Sequence, residues 1–148
     1  MVNRYQHFAA SITCINRCLQ RIERSVMQEY GLKGPHAQCL VVMSRHSGNI
    51  TVSQLSKICD KDKGGISRAL SELEEKGLIQ RITDGGSYYR AKLQLTETGK
   101  KCAHQVNAAA KHAVEQAGAG LTDEDRHIFY SALDLIAGNL QNMNATDL

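Results

Sequence analysis

Between Ser53 and Leu95 the apolar periodicity switches from helical to strand-like, and that switch constrains the fold more than any other feature. Ser53–Cys59 and Lys63–Lys76 read as short helices separated by Asp60-Lys61-Asp62. Asp62 is placed to cap the second helix and Gly77 to close it. Leu78-Ile79-Gln80-Arg81-Ile82 and Tyr89-Arg90-Ala91-Lys92-Leu93-Gln94-Leu95 then alternate with period two around Asp84-Gly85-Gly86-Ser87, the pattern of a β-hairpin. Two helices followed by a hairpin describe a winged helix-turn-helix, here spanning Thr51 to Thr96. The predicted class is mainly α with a small β-hairpin wing (α+β), flanked by N- and C-terminal dimerisation helices.

Long helices are predicted on either side. Phe8, Ile12, Ile15, Leu19, Ile22 and Val26 alternate in spacing between four and three, one stripe of a helix that Gly31 and Gly34-Pro35 end. Pro35 opens a second helix to about His46, followed by a turn at Ser47-Gly48-Asn49. After the hairpin, Thr96 caps a helix carrying Ala103, Val106, Ala110, Ala113 and Ala117, broken by Gly118 and Gly120. Thr122-Asp123-Glu124-Asp125 opens the last helix as a capping box, with Phe129, Leu133, Ile136, Leu140 and Met143 in the same spacing. At 148 residues the chain suits one domain, with 1–34 and 97–148 as a dimerisation region and 35–96 as the lobe. Those stripes exceed what so small a body covers, so a homodimer is expected over the alternative of a self-covering monomeric bundle. No apolar run approaches a membrane span and the N-terminus lacks a signal peptide's apolar region, so a cytoplasmic protein with no membrane partner is expected.

Reading duplex DNA requires a helix that enters the major groove with a polar N-terminal end. Lys63-Gly64-Gly65-Ile66-Ser67-Arg68-Ala69-Leu70-Ser71-Glu72-Leu73 meets that requirement. Ile66, Leu70 and Leu73 form its inward stripe; Lys63, Ser67 and Arg68 lie off it, and Glu72, Glu74 and Glu75 sit at the far end. The free N–H groups around Gly64 and Gly65 suit a phosphate or base-edge acceptor. Each glycine costs roughly 1 kcal/mol against alanine inside a helix. Two readings stand equal: they admit the DNA backbone closely, or they loosen the first turn. The hairpin adds Arg81, Arg90 and Lys92, placed to straddle the sugar-phosphate backbone or enter the minor groove. The net charge of +3 permits a nucleic-acid partner without demanding one. Each cation taken singly reads as part of a solvated face; their order along the chain favours double-stranded DNA.

The stretch Gly65-Ile66-Ser67-Arg68-x-Leu70-x-x-Leu73-Glu74-Glu75-Lys76-Gly77-Leu78-Ile79-x-Arg81, preceded by Thr51-x-x-x-Leu55-Ser56 and followed by Leu93-x-Leu95-Thr96-x-x-Gly99, resembles the MarR family of bacterial regulators. The resemblance implies an obligate dimer on a pseudo-palindromic operator, usually as a repressor released by a small ligand or oxidant. Two-fold symmetry then places half-sites about one helical turn apart, roughly 34–36 Å. Carried over by position, DNA contacts fall on Lys63, Gly64, Gly65, Ser67 and Arg68, with Thr51 and Ser53 on phosphate; Lys61 is a further DNA-binding candidate. The Asp-Arg pair usual at the wing tip is replaced here by Ser87 and Tyr88, with Arg90 the nearest arginine.

Three classes of effector are open. An apolar small molecule, such as a phenolic or lipid-like compound, is expected between the dimer helices and the lobe, against Ile12, Arg17, His36 and Met43. Oxidant sensing would fall on Cys14 and Cys18, which read equally as small half-buried hydrophobes. A disulfide between those two fits poorly, because Cβ atoms at i, i+4 lie about 5–6 Å apart and a bridge needs about 3.5–4.5 Å. A metal-responsive regulator would need ligands from distant segments, since the six histidines show no strong ligand spacing. No cofactor, resident metal or catalytic residue is expected: there is no phosphate-binding glycine loop, nucleophile elbow or paired carboxylates. A winged-helix module that binds protein instead of DNA is the competing class.

Overall fold

The computed structural model describes residues 3–47, 50–59, 61–83, 85–86 and 90–143. Its elements are α1 (Arg4–Glu29), α2 (Pro35–Arg45), β1 (Ile50–Thr51), α3 (Val52–Ile58), α4 (Lys63–Glu75), β2 (Ile79–Ile82), β3 (Lys92–Leu95), α5 (Glu97–Ala117) and α6 (Asp123–Asn142). The chain is mostly helical with a three-stranded antiparallel sheet in the order β1-β3-β2.

The capping chemistry predicted from sequence appears atom by atom. Asp62 accepts from the Gly65 N–H at 2.7 Å at the start of α4. Pro35 takes the first position of α2, where its missing N–H costs nothing. Gly31 and Gly77, at φ of +68° and +74°, end α1 and α4 in the left-handed conformation that favours glycine. The hairpin strands pair as expected, with Arg81 opposite Leu93 and Ile82 opposite Lys92. Of the expected turn, Asp84 and Ser87 lie outside the described residues, as do Tyr88 and Tyr89 beyond it. One strand was not expected. Ile50 pairs with Leu93 and Thr51 with Lys92, so β1 completes the sheet on the open edge of β3.

Residues 1–111 form one compact unit and 112–148 another. In the first unit the end of α1 and the start of α5 join the core. Met27 of α1 is fully buried beside Cys102 of α5, whose thiol donates to its sulfur at 3.7 Å. The Tyr30 hydroxyl donates to Gln105. Around them pack Leu40 and Met43 of α2, Val52 and Leu55 of α3, Ile66, Leu70 and Leu73 of α4, and Leu93 of β3. Each such side chain contributes about 1.5–3 kcal/mol by leaving water.

The second unit is held differently. Thr122 and Asp125 cap α6 reciprocally, and the Arg126 guanidinium donates to the Gly118 carbonyl at 2.7 Å. Phe129 and Tyr130 meet edge to face at 5.3 Å. No residue of α6 is buried. Ile128, Phe129, Leu135, Ile136 and Leu140 are exposed, as are Phe8, Ile12 and Ile15 in the first half of α1.

Candidate nucleic-acid interface

The periodicity of α4 divides it into two faces. Ile66, Ala69, Leu70 and Leu73 are buried, which fixes the helix against α2, α3 and β2. Lys63, Gly64 and Arg68 are consequently exposed and Ser67 is half-buried, so all four reach solvent near the helix start. Ser71 shares this outer face one turn further on, its hydroxyl donating to the Ser67 carbonyl at 2.9 Å. It was not among the expected contacts, although its i+4 spacing from Ser67 marks it.

The N-terminus of α4 is more occupied than the sequence suggested. The Asp62 carboxylate holds the Gly65 N–H, so that donor does not point to solvent as expected. An added Cβ at Gly65 would stand 2.8 Å from that carboxylate oxygen, the free end of a side chain that can turn aside. Around Gly64 the nearest such atom is 4.0 Å away, so space does not require that glycine.

Thr51 caps α3 in a full capping box: its hydroxyl accepts from the Gln54 N–H at 3.2 Å, and Gln54 accepts from the Thr51 N–H at 2.9 Å. Ser53 is half-buried in the first turn. The turn between α3 and α4 is closed by Ser56, whose hydroxyl donates to the Lys61 carbonyl at 2.7 Å and whose carbonyl accepts from the Lys61 N–H at 3.2 Å.

The Arg81 guanidinium lies 3.1 Å from the Glu74 carboxylate with only 13% of the side chain exposed, so it fastens β2 to the end of α4. Arg90 and Lys92 are exposed on the wing. Ser87 and Tyr88 lie outside the described residues.

The expected effector residues differ in their surroundings. Ile12 and Arg17 are exposed on α1, and Cys14 and Cys18 are exposed beside them. Met43 is buried at the rim of a cavity of about 560 Å³ with Ser44, Leu95 and His104. His36 is buried, and its ring ties α2 to α4: Nδ1 lies 3.0 Å from the Lys33 carbonyl and Nε2 2.9 Å from the Glu72 carboxylate. The second approach is an ion-pair distance without hydrogen-bond alignment. With an acceptor near each ring nitrogen, this imidazole joins α2 to α4. A groove of about 760 Å³ opens instead between α1 and the start of α2, lined by Leu19, Glu23, Arg24, Leu32, Lys33 and Lys61 among others. Burial pushes the Glu23 carboxyl up from its ordinary value. Lys61, expected at DNA, contributes to this groove.

The helix and hairpin that form this surface are shared with known proteins. Residues 30–87 match the family model described as MarR family. The chain is 27% identical over 130 residues to an HTH-type transcriptional regulator of Bacillus subtilis, YybA, covering 88% of this chain and 86% of that one. The solved structure of Staphylococcus aureus MarR in complex with salicylate and kanamycin superposes with a TM-score of 0.83 at 16% identity, covering 95% and 94% of the two chains. A point mutant of S. aureus MepR bound to an oligodeoxyribonucleotide superposes with a TM-score of 0.60 at 17% identity, covering 90% and 97%. Residues 30–87 are thus similar in sequence to the MarR family, and the chain has the fold of solved MarR proteins.

Proposed function

We propose that this chain is a transcriptional regulator of the cytoplasm that binds a pseudo-palindromic operator as a homodimer, with one α4 in the major groove of each half-site. The observation that carries the reading is the two-faced α4: its apolar stripe is fully used by the core, while Lys63, Ser67 and Arg68 remain at the surface near the helix start. The MepR neighbour bound to an oligodeoxyribonucleotide supports it, since that protein has the same fold. Thr51, Ser53 and the outer end of the wing at Arg90 and Lys92 supply phosphate contacts in this reading. The uncovered apolar residues of α6 and of the first half of α1 supply the dimer surface.

Release of DNA is assigned to an effector. The groove between α1 and α2 suits an organic anion, because Arg24, Lys33 and Lys61 line it beside the apolar Leu19 and Leu32. The salicylate complex of the S. aureus neighbour is in keeping with such chemistry.

A gel shift with the promoter DNA of the chain's own gene, titrated with salt, tests the main reading. Specific binding should weaken steeply with salt as phosphate contacts release counterions. Arg68→Ala should lower affinity by about tenfold or more while leaving the dimer intact, in line with about 1–3 kcal/mol for a base-contacting arginine. Absence of binding even at low salt would reject the regulator reading and favour a protein-binding winged helix. Unchanged affinity of the variant would mean that α4 is not the reading helix.

A further inference from the structure

The polar side of α1 carries a pair of thiols whose spacing is chemically selective. Cys14 and Cys18 stand one turn apart, well inside the helix Arg4–Glu29, and both are exposed. Each lies one position before a residue of the apolar stripe, Ile15 and Leu19, and so about 100° round the helix from it. The pair therefore sits beside the stripe and not on it. Arg17 follows Cys14 by three positions and Arg21 follows Cys18 by three, both exposed, so a guanidinium neighbours each thiol on the helix surface. The remaining cysteines, Cys39, Cys59 and Cys102, are buried.

Geometry separates the things that two such thiols can do. At i, i+4 the Cβ atoms lie about 5–6 Å apart, whereas a disulfide needs about 3.5–4.5 Å, so direct closure would have to distort α1. An ion between the sulfurs removes that conflict. Two thiolate–metal bonds of about 2.3 Å each hold the sulfurs up to about 4.6 Å apart when the ion is linear. Two side chains one turn apart reach that span by rotation between their χ1 rotamers.

Coordination number then selects the ion. Zinc closes a structural site with four ligands and a catalytic one with three from the protein. Among the described residues no group of three or more His, Cys, Asp or Glu side chains could hold a metal. Two thiolates with no further protein ligand suit a soft cation content with two sulfurs, and thiolate ligands favour copper(I).

We propose that Cys14 and Cys18 form a two-coordinate site for copper(I) on the surface of α1. The thiolate is the ligand, so both thiol protons leave to solvent as two sulfur–copper bonds form, and no electron changes hands. Two thiolates and one monovalent cation leave one net negative charge, which Arg17 and Arg21 flank with positive charge. The site is complete within one helix of one chain and does not depend on the DNA reading.

The test is an anaerobic titration of the full, reduced chain with copper(I) held by the coloured chelator bicinchoninate. Transfer of one copper per chain is expected, read as loss of the chelator complex's colour and growth of the ultraviolet sulfur-to-copper charge-transfer band. Cys14→Ser and Cys18→Ser should each weaken retention about a hundredfold or more, since losing a ligand costs more than losing an outer-shell partner. Circular dichroism should not change, because both side chains are exposed. Cys18→Ser combined with Asn16→Cys keeps five thiols in the chain but sets the pair at i, i+2, where side chains do not face each other; it should not restore binding. Arg21→Gln should weaken retention about two- to fivefold, the size of an exposed charge interaction.

Copper held equally well by the Cys14→Ser/Cys18→Ser double variant would assign it to the buried thiols and overturn the proposal. One copper per two chains, or full binding by the Asn16→Cys variant, would overturn the chelate within one helix. A reduced chain that retains no copper(I) even when it is supplied in acetonitrile, a weaker competitor, would overturn the site altogether.

Discussion

Replacing Gly99 with alanine tests the joint between the wing and α5. A Cβ at this position would stand 1.9 Å from the Leu78 carbonyl oxygen and 2.9 Å from its carbon. Carbon and carbonyl oxygen ordinarily approach no closer than about 3.3 Å, so the start of α5 would have to retreat by about 1.4 Å. That retreat breaks the bond from the Thr96 N–H to the Leu78 carbonyl at 3.0 Å and the bond from the Thr96 hydroxyl to the Gly77 carbonyl at 2.6 Å. Two hydrogen bonds contribute about 1–3 kcal/mol together, and polar groups left unpaired add to the loss. The better helix propensity of alanine returns about 1 kcal/mol at most. The expected net destabilisation is about 2–4 kcal/mol, a fall in Tm of about 4–16 °C for a domain of this size. Thermal unfolding followed by circular dichroism at a fixed protomer concentration measures it, since the Tm of an associating chain depends on concentration. Gly64→Ala is the control, because its Cβ would meet nothing closer than 4.0 Å; its Tm should hold or rise. A Gly99→Ala protein melting within about 1 °C of wild type would refute the steric argument.

Three further outcomes follow from the same geometry. Asp62→Ala removes the cap of α4 and should cost about 0.5–2 kcal/mol in urea unfolding, whereas Asp62→Asn should retain most of it; equal losses would show that the cap bond is not the cause. Arg81→Ala should leave the salt dependence of operator binding unchanged, because Glu74 holds the guanidinium, and a double-mutant cycle with Glu74→Ala should give a coupling of about 0.5–1 kcal/mol; a salt slope reduced by about one would return Arg81 to the phosphate contacts. Hydrogen bonds from Thr122, its hydroxyl first, hold the Asp125 carboxyl below the usual range. Because the folded value is the lower one, the stabilisation is present above the unfolded carboxylate value of about 3.9 and fades as the pH falls through the folded value. Carbon-detected NMR titration should find the Asp125 midpoint higher in Thr122→Ala than in wild type, and coincident midpoints would contradict the assignment.

The local grammar of this chain was legible in its residues because it depends on neighbours within a turn or two. Asp62 before Lys63, Thr122 three residues before Asp125, and Gly77 after Glu75 each act through backbone groups a few positions away, and the period-three-and-four pattern of Ile66, Leu70 and Leu73 decides which face of α4 is left outside. β1 was not legible, since two residues are too few to show alternation and their pairing partner lies some forty positions on at Leu93. The same limit governs the side chains whose role changed. Arg81 reads as a wing cation until Glu74 is found 3.1 Å away, and His36 as a pocket residue until Glu72 of α4 closes over it. Gly99 looks like a conformational choice along the chain, but the Leu78 carbonyl occupies the space a Cβ would need. Sequence by itself therefore determined the order of helices and hairpin, the caps of α4 and α6 and the outer face of α4. Tertiary packing alone decided which charges are spent inside the lobe and which strand completes the sheet, because those contacts are set by distances in space between groups that the chain keeps far apart.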